Sequence, residues 1–172
     1  GNKQSNDQRR QTVPKMTVDS SFNIFPQTNS EFTVGFPQKP TIKTIQSEMG
    51  TVQQADYVSD DYNIFRAEYG TATTEQLSAV HNSTEEKRLQ VGIAIGRMVG
   101  YTGITVTSGK TNLGTYIKIR GYKVIEGNSY LIEHLMYYGK RSIMTVVTGA
   151  KATDYPTKKI NSFIYSLRKK FE

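Results

Sequence analysis

The run TYIKIRGYKVIEGNSYLIEHLMYYGKRSIMTVVT, residues 115–148, constrains the fold more than any other stretch of the chain. In its first part Tyr116, Lys118, Arg120 and Tyr122 alternate with Ile117 and Ile119, the period of a strand with one apolar face. Strands are expected at Thr115–Ile125, Ser129–Tyr138 and Ser142–Thr148. The links Glu126–Asn128 and Gly139–Arg141 are short enough that each neighbouring pair must be a hairpin. SIMTVVT is apolar on both faces, as a central strand covered from both sides would be. A shorter strand at Ile104–Thr107 precedes this meander.

Upstream, Phe32, Val34 and Phe36 alternate in a strand that Pro37 stops, because proline has no amide hydrogen for a ladder. Val52–Val58 and Tyr62–Tyr69 read as two strands joined by the turn Ser59–Asp61, with Gly50 as an earlier turn. Phe65, Ala67 and Tyr69 then share one face, and Arg66 and Glu68 take the other. STEE, Ser83–Glu86, has the form of a capping box. It opens a helix whose apolar stripe is Val91, Ile95, Met98 and Val99, ended by Gly100. Gly92, Gly96 and Gly100 recur at a spacing that lets a helix backbone approach a sheet closely. A closing helix is expected with Asp154 as N-cap, Pro156 in its first turn and a stripe of Ile160, Phe163, Ile164 and Leu167. Arg168, Lys169 and Lys170 would then sit at the negative end of its dipole. The order strands, helix, meander, helix predicts an α+β domain, a mostly antiparallel sheet packed by helices. It occupies residues 22–172, behind a polar lead-in at 1–21 that reads as a flexible tether.

Composition excludes some chemistry. The chain has no Cys, so disulfides, thiolate nucleophiles and Cys-ligated metals are ruled out. No apolar run approaches the roughly 20 residues of a membrane-spanning helix. A formal charge of +7 over 172 residues favours anionic partners without choosing among them. Gly1 in place of Met reads as a cropped start, leaving room upstream of Asn2 for a signal segment.

The motifs point away from catalysis. SGKT, Ser108–Thr111, lies between two strands, so it reads as a turn and not as a phosphate loop. The only histidines, His81 and His134, fall in no metal-ligand spacing and read as half-buried strand residues. His134 neighbours Glu133, but adjacent strand residues face opposite ways. No catalytic, cofactor-binding or metal-binding residue is assigned, and a non-enzymatic role is expected. The strand Tyr116–Tyr122 carries an aromatic-basic face, which suits single-stranded nucleic acid or a solvated outer surface. No RNP-type signature accompanies it, which weighs against nucleic acid. The candidate contact residues are Lys39, Tyr116, Lys118, Arg120, Tyr122, Lys158 and Lys159. A basic polyanion-binding module is the alternative reading.

EFTVGFPQKP at 31–40, GTVQQADYVSDDYNIFRAEYG at 50–70 and the meander with its closing helix resemble the PsbP-like proteins over residues 30–167. Members of that family include the extrinsic photosystem protein, periplasmic lipoproteins and secreted bacterial proteins. The resemblance implies a three-layer α/β/α sandwich around an antiparallel sheet. It also implies a cell-envelope accessory or binding protein, lipid-anchored or secreted, with a protein or small ligand as partner. It carries over no functional residue and no cofactor.

Overall fold

The structure is a computed structural model, which describes residues 23–47 and 50–170. The proposed tether at 1–21 lies outside the described residues. Along the chain come β1 (Ile24–Phe25), β2 (Phe32–Gly35), β3 (Thr41–Ser47), β4 (Gly50–Val58) and β5 (Ile64–Thr71). Helices α1 (Thr74–His81) and α2 (Glu85–Met98) follow, then β6 (Thr102–Thr111), β7 (Gly114–Ile125), β8 (Asn128–Tyr138) and β9 (Ser142–Lys151). Helix α3 (Lys158–Tyr165) and β10 (Arg168–Lys169) close the chain.

Seven strands form one antiparallel sheet in the order β3-β4-β5-β9-β8-β7-β6. The expected central strand is indeed in the middle: β9 has three neighbours on either side. The fold class is therefore α+β. Both meander turns are tight. Glu126 and Gly127 have φ of 49° and 81°, and Ile125 pairs with Asn128, so a two-residue turn with both residues left-handed joins β7 to β8.

Each face of the sheet is covered on a different half. Phe65 and Ala67 of β5 and Met144, Val146 and Ala150 of β9 pack with Ile160 and Phe163 of α3. The same core takes in Phe25, Phe32 and Val34 from the small β1-β2-β10 sheet, and Phe36 just after β2. Phe163 lies between Phe36 and Phe65, with ring centroids 4.8 and 5.3 Å away. On the opposite face Ile117 and Ile119 of β7 and Met136 and Tyr138 of β8 pack under Leu77 of α1 and Ile95 of α2. Helices α1 and α2 thus lie over β6–β8, while α3 and β2 lie over the β5–β9 region.

Several expectations are corrected. Ser83 is not the helix cap: Thr84 is, its side chain accepting from Lys87 N, and Glu86 makes no return bond. A complete capping box occurs instead at Thr73 and Gln76, opening α1, a helix not among those expected from the sequence although Thr73–Gln76 has the Thr-x-x-Gln form. The Val91–Met98 stripe is not the packed face of α2. Met98 is 79% exposed and Val91 46%, while Gly92, Gly96 and Arg88 are buried. The glycine face wins because the backbone settles directly onto β6 and β7. A Cβ at Gly96 would stand 3.0 Å from Ile104 Cδ1 and 3.2 Å from Ile119 Cγ2.

SGKT is the end of β6, paired with Ile117–Gly114, and the turn falls later, between Thr111 and Gly114. His81 is a helix residue, not a strand residue: it ends α1 and bonds Thr115 Oγ1 at 2.8 Å and the Gly139 carbonyl at 2.9 Å. Thr157, not Asp154, caps α3 by accepting from Ile160 N, so Pro156 precedes the helix. Helix α3 stops at Tyr165, and Arg168 and Lys169 pair with Thr33 and Phe32 as strand β10. Arg168 still keeps the expected place, its Nη1 donating to the Tyr165 carbonyl at the C-terminal end of α3, whereas Lys169 and Lys170 turn to Glu31 and Asn29. The strand Thr41–Ser47 also escaped the sequence pattern, because Thr41–Thr44 is exposed on both faces at the sheet edge.

Candidate functional site

The diagonal covering leaves two half-faces of the sheet without a helix. One holds most of the sequence-selected contact residues. The other holds a cluster of titratable side chains around Arg66 and Glu68, the pair expected on the face away from Phe65.

The first half-face lies on the α3 side, over β6–β8. Tyr116, Lys118, Arg120 and Tyr122 do stand together there, because Ile117 and Ile119 point into the opposite core. Across the β7–β8 ladder they face Tyr137, Leu135, Glu133 and Leu131. The group is bonded internally. Arg120 Nη2 donates to Glu133 Oε2 at 3.1 Å, and its guanidinium lies 5.6 Å from the Tyr155 ring centroid. Tyr155 Oη is 2.9 Å from Thr148 Oγ1, and burial pushes its pKa up to about 12. Lys158 and Lys159 are on α3, and Lys159 Nζ lies 3.5 Å from Asp61 Oδ1. Lys39 is in the exposed loop between β2 and β3. Two of the selected cations, Arg120 and Lys159, thus already have carboxylate partners. The selected residues do not converge on one basic patch.

The second half-face lies on the α1–α2 side, over β3, β4, β5 and β9. Alternation puts Arg66 and Glu68 here because Phe65, Ala67 and Tyr69 occupy the α3 core. Register then builds a grid. One row runs His134–Val147–Arg66–Asp56, and the next Met136–Thr145–Glu68–Gln54–Lys43. Asp56 is fully used: it accepts from Arg66 Nε and from Gln54 Nε2, each at 2.6 Å. That contact holds Arg66 along β4, from where its charge still acts on Glu68 and His134.

Glu68 differs. It is half-buried, and among the described residues it accepts no hydrogen bond. Burial raises its pKa above the ordinary carboxylate value. Arg66 and Lys43 pull it back in part, and Asp56 adds to the rise. It lies in the wall of a cleft of about 220 Å³, with Val52, Gly70, Ile143, Thr145 and, from the start of the helical cover, Ala72 and Gln76. The lining is mostly apolar carbon around one carboxylate.

His134 sits on the same face nearer the helices. Tyr101 Oη lies 3.4 Å from its Nδ1. Burial, helped by Arg66, lowers its pKa to about 4, so it is neutral at physiological pH. Glu68 and His134 are thus shifted in opposite directions, the pattern of an acid–base pair. They are, however, two strand spacings and one residue pair apart, roughly 12 Å between backbones, too far for direct proton exchange. Among the described residues no three His, Asp or Glu side chains group where they could hold a metal ion. No described helix is long and apolar enough to cross a membrane.

A third carboxylate was also missed by sequence reading. Glu31, 3% exposed, accepts from Lys140 N at 2.7 Å, Arg141 N at 3.1 Å and Ser142 Oγ at 2.6 Å. It closes the β8–β9 turn and leaves no room for a side chain at Gly139. No sequence signal exposes it, since its partners are more than 100 residues away. For Glu68 a signal existed: a carboxylate alternating with the apolar Phe65, Ala67 and Tyr69 on an expected strand.

The chain matches no protein-family model and no curated protein. Among solved structures, a Bacteroides thetaiotaomicron protein aligns with a TM-score of 0.49 and 10% identity, over 88% of this chain and 50% of that one. This chain therefore spans half the length of that protein. LpqN of Mycobacterium tuberculosis, described as involved in cell envelope biogenesis, aligns with a TM-score of 0.36 and 12% identity, over 79% of this chain and 88% of LpqN. Likeness at this level assigns neither family nor function. The class rests on the geometry described above: an α+β protein with an antiparallel sheet covered on diagonal halves.

Proposed function

We propose that the protein is a non-enzymatic binding module of the cell envelope. It has the three-layer α/β/α arrangement of PsbP-like proteins and is secreted or held at a membrane by a lipid upstream of Asn2. The sequence resemblance over residues 30–167 supports the family and the compartment. The binding role is carried by one observation: the cleft beside the start of α1, where Glu68 stands in a mostly apolar lining and accepts no hydrogen bond from a described residue. A carboxylate kept half-buried and unbonded costs stability, and a ligand or partner that supplies the donor recovers it. Pockets of this composition, apolar walls with few polar groups, are typical of binding sites.

Two measurements test the two halves of this reading. Fractionation of cells expressing the full-length gene should place the protein in the envelope, and recovery with the cytosolic enzymes would end the envelope assignment. Thermal melts against organic acids, sugars, nucleotides and amines should reveal stabilisation by one chemical class. Flat melts across all four would remove the binding role.

A further inference from the structure

We infer that the Glu68 cleft is a site for an organic ammonium ion bearing a short apolar chain. This rests on the half-face being a binding surface and names what it binds.

Three features of the geometry select that chemistry. The first is size. A cleft of about 220 Å³ suits a short-chain amine and is small against the roughly 300–1,000 Å³ of sites for drug-sized ligands. The second is the donor balance. Glu68 offers acceptor oxygens, and Thr145, its direct partner across the β5–β9 ladder, adds a hydroxyl among whose described contacts no hydrogen bond occurs. An ammonium group has three donors and no acceptor, so it fits this pair and an anion does not. The third is the lining. Val52, Ile143 and Ala72 give an apolar wall for the carbon chain, and a hydrated metal ion finds no such use for it.

The neighbouring charges shape the site. Arg66 offsets the burial of Glu68 only in part, since it is hydrogen-bonded to Asp56 and donates no bond to Glu68 among the described contacts. Lys43 stands in the same row, beyond Gln54, and is a second competing cation beside Arg66. His134 and Tyr101 face the same half of the sheet and are uncharged at neutral pH. The overall charge of +7 opposes a cation at long range, but salt screens that repulsion beyond about 8 Å.

The test is titration of the whole chain with n-pentylammonium, n-pentanol, pentanoate and an Nα-acetyl lysine amide, followed by calorimetry. Pentylammonium should bind at least about tenfold more tightly than pentanol, and pentanoate should not bind, since a charge-assisted bond is at stake. Glu68→Gln should lose at least about tenfold for pentylammonium, and Lys43→Gln should gain about two- to threefold. Wild-type binding should also fade on acidification as Glu68 takes up a proton, which checks the assignment without any substitution. Equal affinity for the amine and the alcohol, or Glu68→Gln binding like wild type, would overturn it. If the lysine amide binds as well as the free amine, the ligand is a lysine side chain of a protein partner; if only the free amine binds, it is a small molecule. Pentanol or pentanoate binding best in the cleft would refute the ammonium assignment and leave the binding role standing. No response to any probe, with flat melts for all four ligand classes, would remove both.

Discussion

Glu31 and Glu68 are the same side chain in two regions of one fold, and their surroundings make them opposites. Glu31 meets two backbone amides, one hydroxyl and Lys169 Nζ at 3.9 Å. Burial alone would raise its pKa, but the bonds from Ser142, Lys140 and Arg141 outweigh it and the carboxyl is held below its usual value. Glu68 is buried without such bonds, and its pKa moves up. Burial therefore does not say what a carboxylate does. The donors around it decide whether it is a structural fixture or an open site.

The largest effect expected is on the fixture. Glu31→Ala strands two amides and a hydroxyl at the β8–β9 turn and should cost about 4 kcal/mol in urea unfolding. A loss below about 1 kcal/mol would show that the turn finds other partners, and the contrast would collapse.

Next comes the pH dependence. The folded pKa of His134 is about 4 against an ordinary 6.5, so the unfolded chain takes up the proton first as pH falls. Stability should therefore drop between those two values by on the order of 3 kcal/mol. The difference between wild type and His134→Gln, followed by urea unfolding near neutral pH and near pH 4, isolates this contribution. The glutamates have opposite signs in the same titration. Glu31 stabilises fully above its ordinary value, and that is lost as pH falls through its lowered folded value. Glu68 has a raised folded value, so acidification favours the folded state at that position.

Gly139→Ala sharpens the comparison at the fixture itself. Its Cβ would fall inside contact distance of the Glu31 carboxylate and should cost about 2 kcal/mol. Combined with Glu31→Ala, that cost should shrink, and a fully additive pair would refute the close approach.

The smallest effect is at the open site. Glu68→Gln should leave stability unchanged or raise it by less than about 1 kcal/mol. A large loss would mean that Glu68 is a fixture after all.

Local pattern determined a good deal by itself. Short links and alternation in residues 115–148 fixed three strands, their hairpins and the central place of β9, because neighbouring segments with short connections have only one way to pair. The same alternation put Tyr116, Lys118, Arg120 and Tyr122 on one face, and Arg66 and Glu68 on the face away from Phe65. The four-residue spacing of Gly92 and Gly96 signalled close helix–sheet approach. Tertiary structure decided what covers each face. Whether Val91 or Gly92 of α2 is buried depends on how near the helix settles to β6 and β7, and periodicity carries no distance. Strand β10 exists only because Thr33 and Phe32 of β2 offer it an edge. Glu31 and Glu68 could not be told apart in sequence for the same reason. The donors that surround one and spare the other come from segments far along the chain, brought near only when the sheet closes.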